Sequence, residues 1–291
     1  MDRRTFIAGS LGIATIAALP APSRAAPATP SASAVDADVP TLELTLTNTG
    51  FEIDEPLTAG RYQVRVSNIG TLSESHFALG KIPDDVTDTE YQAFLQAQDD
   101  TEALGFEDIA FVGVPDWPAP GGSVSGVIDL APGRYLLFDP FAGREPRTLI
   151  VGGDPVDAAE PASDLTVKLH EMATELPESA FTSQPVRWKI VNTGAMSHEV
   201  AVLPVSPDFT AEQFEQVLSV MLSLPEDATP PPGLPEFVYQ PVSAIGILAP
   251  QHTSWLDVQL APGRYMAVCM LPFGTGYPHA VDGMYRVFDV D

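Results

Sequence analysis

Near the end of this 291-residue chain stands CMLPFGTGYPHAVDGM, residues 269–284, which carries the only cysteine, Cys269, followed by His279 and Met284. A thiolate, an imidazole and a thioether in one short loop have the donor softness that suits a copper ion in either oxidation state. Upstream, NTGAMSHEV at 192–200 supplies a second imidazole, His198. One early histidine and a late Cys…His…Met loop suit a trigonal site of two imidazoles and a thiolate with a weak axial thioether. That is the ligand set of a single type 1 copper used for electron transfer. Each residue also has a plain structural reading. A free cysteine is most often a small buried hydrophobe, and a strand histidine is often just a satisfied polar group. Met284 has Tyr285, Val287 and Phe288 as neighbours and reads equally well as core, while Met270 offers a competing thioether.

The elements that must position these residues come as an internal repeat. GRYQVRVSNIG at 60–70 and QPVRWKIVNTG at 184–194 correspond, and a histidine follows each, His76 and His198. VIDLAPGRYLLFDP at 127–140 and DVQLAPGRYMAVCM at 257–270 share an uninterrupted LAPGRY. Alternating β-branched and aromatic residues between N-x-G and A-P-G turns predict short strands. One helix is expected per copy. In the first, Thr87 and Glu90 form a capping box; in the second, Thr210 and Gln213 do, with Phe214, Val217, Leu218, Met221 and Leu222 on one face. The pattern predicts an all-β chain of two tandem Greek-key β-sandwiches, each with a short inserted helix.

With these motifs in place, the sequence resembles the cupredoxins, the plastocyanin- and azurin-like blue copper proteins. The resemblance covers residues 41–152 and 164–291 as a fold, and the metal site only in the second stretch. It implies His198 and His279 as imidazole ligands, Cys269 as the thiolate and Met284 as the axial ligand of one type 1 copper. The Cys-to-His spacing is longer than in the small carriers and closer to that of the two-domain copper nitrite reductases. In the first copy Asp139 stands where the second has Cys269, and the following PFAGREPRTLIVGG contains neither His nor Met. That copy is expected to lack a copper site, with His76 a leftover or surface residue. The resulting layout is a signal peptide at 1–28, a disordered linker at 29–40, domain 1 at 41–152, a linker at 153–163 and domain 2 at 164–291.

Composition narrows the function further. A formal net charge of -25 repels nucleic acid phosphates and anionic membranes, so neither is an expected partner. The start, MDRRTFIAGSLGIATIAALPAPSRAAPA, resembles a twin-arginine export signal, implying an extracytoplasmic mature protein. No other stretch is apolar for long enough to span a bilayer. A second copper centre, as in oxidases and nitrite reductases, needs a histidine beside the blue-copper cysteine, but Val268 and Met270 flank Cys269 and no H-x-H occurs. His170 and His252 read as ordinary polar residues, and hydrolase and phosphate-loop motifs are absent. The expected function is therefore a non-enzymatic, exported one-electron carrier. The alternatives are a metal-free interaction or structural protein on the same sandwich, and copper capture or delivery with the same ligands. No residue identifies the redox partner, and two-domain relatives often form trimers, which makes a homo-oligomer an option.

Overall fold

The alternation read from the sequence becomes strands that bury one face. In β1 (Thr41–Leu46), Leu42, Leu44 and Leu46 point inward and the residues between them outward. The computed structural model describes residues 39–73, 75–96, 108–139, 143–154, 158–177, 181–224, 231–272 and 277–291. The expected signal at 1–28 and most of the linker at 29–40 lie outside the described residues.

The first half continues through β2 (Phe51–Ile53), β3 (Leu57–Thr58), β4 (Gly60–Asn68), β5 (Ala78–Lys81), α1 (Asp88–Gln96) and β6 (Ala110–Phe111). It closes with β7 (Pro115–Asp116), β8 (Ser123–Leu130), β9 (Gly133–Phe138) and β10 (Arg147–Gly152). The second half repeats the order with β11 (Leu165–His170), β12 (Ala173–Glu175), β13 (Val186–Asn192), β14 (His198–Pro204) and α2 (Ala211–Ser223). Its last strands are β15 (Ser243–Leu248), β16 (Thr253–Val258), β17 (Gly263–Val268) and β18 (Tyr285–Val290). The chain is all-β apart from its helices. No helix among the described residues is long and apolar enough to cross a membrane.

The two repeated motifs have a visible structural purpose. In LAPGRY, the tyrosine hydroxyl turns back four residues onto the alanine carbonyl, Tyr135 onto Ala131 at 3.0 Å and Tyr265 onto Ala261 at 2.9 Å. This corner locks the β8–β9 and β16–β17 turns. In N-x-G, a buried asparagine organises the turn. Asn68 Oδ1 accepts from the Gly70 amide at 2.9 Å, and Asn192 Oδ1 from that of Gly194 at 3.0 Å. Each Nδ2 then donates to two carbonyls of the segments alongside. These asparagines set the path of the chain into His76 and His198.

Both capping boxes form, at Thr87/Glu90 and Thr210/Gln213. On α2 the buried face is Phe214, Val217 and Leu218, whereas Leu222, expected on that face, is exposed. The helix ends one residue later, and among the described residues none buries Leu222.

The halves are interlocked rather than merely tethered. One eight-stranded sheet runs β12-β11-β13-β16-β8-β4-β1-β2, crossing from the second half to the first where Trp255 pairs with Val127 and Leu256 with Gly126. A Cβ on Gly126 would lie 2.1 Å from the Trp255 carbonyl oxygen, so only glycine permits this junction. Asp257 anchors it, accepting from Arg187 Nε at 2.7 Å, Gln63 Nε2 at 3.1 Å and Ser125 Oγ at 3.1 Å. A second crossing places β7 of the first half at the edge of the sheet β18-β17-β14-β15, where Asp116 pairs with Ala244. The remaining sheet is β3-β10-β9-β5-β6. One hydrophobic cluster contains Phe111 and Leu136 from the first half together with Trp188, Cys269 and Met284 from the second. The junction is therefore core-like.

Candidate metal centre

Three elements converge at one end of the second sandwich. His198 is the first residue of β14, delivered by the Asn192 turn. Cys269 follows the last residue of β17, and His279 opens a short 3-10 turn at His279–Asp282. The loop between them is held in part by its own backbone. The Cys269 amide donates to the Met284 carbonyl at 3.0 Å, the His279 amide to Leu271 at 2.9 Å, and the Ala280 amide to the Cys269 carbonyl at 3.0 Å. A bridge between Pro272 and Pro278 pinches its neck, and residues 273–276 lie outside the described part.

The side chains meet inside. His198 Nδ1 lies 3.0 Å from His279 Nδ1, and Cys269 Sγ lies 3.4 Å from His279 Nδ1. One donor atom from each of the three residues lies within 4.8 Å of the others, and all three residues are buried. With metal–nitrogen bonds of about 2.0 Å and metal–sulfur bonds of about 2.3 Å, one ion fits among them. Met284 is fully buried in the hydrophobic cluster that contains Cys269. Met270, one step along the strand, turns the other way into a cluster with Phe214 and Val268 under α2. The two thioethers thus belong to different clusters, Met284 to that of Cys269 and Met270 to that of Phe214.

The electrostatics leave the imidazoles free to act as ligands. Burial, with some repulsion from His279, pushes His198 down to about 4, and burial also lowers His279. Both imidazoles are neutral near pH 7. Two neutral rings facing Nδ1 to Nδ1 must share either a proton or a cation. The other nitrogen of His198, Nε2, is buried and has no hydrogen-bond partner among the described residues. Burial pushes the Cys269 thiol far up, and the Glu199 carboxylate adds to the effect. A bound cation reverses that preference, since a coordinating thiol is deprotonated outright. The Glu199 amide points at Sγ, 3.5 Å away, ready to steady a thiolate.

Elsewhere the structure separates the remaining histidines from this cluster. His170 Nε2 contacts Glu175 at 3.1 Å near the surface, and His252 Nδ1 contacts the Pro250 carbonyl at 2.8 Å. In the first half, Asp139 occupies the place of Cys269 and forms a buried ion pair with Arg144, whose Nε also donates to the Thr47 carbonyl at 2.7 Å. A guanidinium supplies the positive charge there. His76 corrects one expectation: it is not a surface residue but only 5% exposed, and it is bonded to Asp116. The sequence carried a signal for this, because His76 stands at the same place in its copy as His198. Its partner Asp116 comes from a strand too short to recognise.

No family model matches the chain, and no curated protein does. Solved structures similar to it include a dithionite-reduced auracyanin from Roseiflexus castenholzii, 22% identical over 45% of this chain and 99% of that one, with a TM-score of 0.30. Auracyanin A, a blue copper protein from Chloroflexus aurantiacus, is 19% identical over 43% and 99% of the two chains, with a TM-score of 0.27. A copper-containing nitrite reductase from Thermus scotoductus is 12% identical over 86% of this chain and 61% of that one, with a TM-score of 0.23. Such low scores leave the site to be read from its own geometry.

Proposed function

We propose that the chain is a cupredoxin-like electron carrier that holds one type 1 copper in its second half, between His198 Nδ1, His279 Nδ1 and Cys269 Sγ, with Met284 as the axial thioether. The observation that carries this reading is the convergence of two neutral imidazole nitrogens and a thiol sulfur within one water-excluding pocket. When bound, copper supplies a site that gains and loses one electron with little change of geometry. The residues do the rest. Loop hydrogen bonds that need no metal fix Cys269 and His279 in advance. The N-x-G turn aims His198, the Glu199 amide steadies the thiolate, and full burial of Cys269 and Met284 keeps water off the ligands.

The reading includes two domains, 41–152 and 164–291, of which the first is taken to hold no copper because Asp139, paired with Arg144, stands where the second has Cys269 and no His or Met follows it in PFAGREPRTLIVGG. It also includes export through the Arg3–Arg4 signal and a role as carrier rather than oxidase, since Val268 and Met270 flank the cysteine. The test is to add cupric ion to the purified metal-free chain. An intense visible thiolate-to-copper charge-transfer band at one equivalent, absent in Cys269→Ser, is the expected result. A colourless chain that takes up only cuprous ion would favour copper delivery, and no uptake would favour a metal-free protein.

A further inference from the structure

Glu199 follows His198 directly in the chain, yet its side chain faces the first half. Two residues of β15, Gly246 and Ile247, stand opposite this single residue of β14, a bulge that lets adjacent side chains both be buried. One Glu199 oxygen accepts from the Met270 amide at 2.9 Å. The other lies 4.0 Å from His76 Nε2, and His76 Nδ1 is bonded to the Asp116 carboxylate. Asp116 is fixed in turn by the amides of Trp117 at 2.8 Å and Phe77 at 3.3 Å. Trp117 stacks on the His76 ring, with centroids 5.7 Å apart. A Cβ on Gly246 would press on the Phe77 carbonyl oxygen at 3.2 Å and touch the Asp116 carboxylate at an ordinary 3.5 Å.

Burying three ionisable groups at a junction is costly, and apolar residues of similar size would hold two halves together at least as well. These three run in a line from β7 of the first half to the amide beside Cys269. We propose that His76 is a positioning residue for the metal centre, contributed by the first half: held by Asp116, it fixes the Glu199 carboxylate on the Met270 amide and sets a positive charge beside the thiolate loop. Its effect on potential rests on the copper reading above; its effect on the loop does not.

The charge state agrees with this geometry. Burial alone would lower His76, but Asp116 and then Glu199 outweigh it and raise it to about 9, with Asp139 adding to the effect. The acidic groups facing the ring are thus Asp116 from β7 and Glu199 from β14, both themselves raised by burial and lowered in turn by His76, with Asp139 after β9 and the buried Tyr239 hydroxyl in the same field. The His76 cation offsets part of the carboxylate charge beside the thiolate, which disfavours the more positive, oxidised form of the centre and holds its potential above that of a chain lacking it.

The test uses His76→Gln and Asp116→Asn in the full chain, with two readouts. In the metal-free protein, amide hydrogen exchange at Met270 should be at least tenfold faster in both variants, with the amides of β4 unchanged. In the copper-loaded protein, His76→Gln should keep its visible band while the cupric/cuprous equilibrium moves tenfold toward cupric, a fall of about 59 mV for one electron. Met270 exchange within twofold of wild type in both variants, or an unmoved potential in His76→Gln, would overturn the proposal. If His76→Gln does not fold, Asp116→Asn carries the exchange test, because asparagine still accepts from the Phe77 and Trp117 amides. If the wild-type chain takes up no copper, the functional reading fails, and the exchange readout still decides the positioning role.

Discussion

His198 and His279, 81 positions apart, bring their Nδ1 atoms to 3.0 Å in a pocket closed to solvent. Nothing local dictates that approach. It results from β14 and β17 lying side by side, with Ala201 opposite Val268, so that the start of one strand meets the end of the other. The Cys269 thiol enters at the same level, and the loop that returns through His279 is held by its own backbone hydrogen bonds and by the Glu199 carboxylate on the Met270 amide. A site assembled this way costs little to organise when an ion arrives.

Replacing Cys269 by serine should remove the visible copper band without unfolding the chain. The shorter serine side chain draws its polar atom back from the His279 ring nitrogen and the Glu199 amide that meet the sulfur, and a buried hydroxyl without a full set of partners costs about 1–3 kcal/mol. Visible absorbance together with far-ultraviolet circular dichroism checks both halves of this statement.

Copper should stabilise the folded chain by mass action, about 2.7 kcal/mol at a free concentration one hundred times the dissociation constant. The melting temperature should rise with added copper in the wild type and stay flat in Cys269→Ser. Calorimetric scans across a concentration series measure the difference.

The junction between halves should depend on a single glycine. In Gly126→Val the side chain would strike the Trp255 carbonyl and the Pro115 ring, so β8 and β16 must part. A loss of more than about 3 kcal/mol is expected, as for other severe steric insertions at buried sites. Urea unfolding should change from one transition to two as the halves uncouple, which fluorescence of the buried Trp188 and Trp255 would report.

Stability should decline as the solution turns alkaline. His76 titrates at about 9 in the folded chain against 6.5 for an ordinary histidine. The folded state therefore holds a proton that the unfolded state has released between these values. The contribution is complete below pH 6.5 and disappears as pH rises through 9. Urea midpoints of the metal-free protein at intervals across that window should fall, and in His76→Gln the slope should flatten.

The sequence by itself determined what depends on neighbours along the chain. The two LAPGRY corners, the two N-x-G turns, both capping boxes and the strand alternation rest on contacts a few residues long, and all are visible as residue types at fixed spacing. The order His198, Cys269, His279, Met284 was legible for a related reason: donor chemistry is a property of the residue itself. Tertiary structure decided which residues share a pocket. It put Met284 in the cluster that holds Cys269 and Met270 in the cluster that holds the buried face of α2, and it left Leu222 exposed. It also joined β16 to β8 and carried β7 across to β15, which made His76 part of the interior rather than the surface. Edge strands pair with whichever partner packing brings within reach, and Pro115–Asp116 is too short to announce one. The physical reason is the range of the forces involved. Turn and cap hydrogen bonds act between neighbours in sequence, whereas sheet pairing and burial act between neighbours in space.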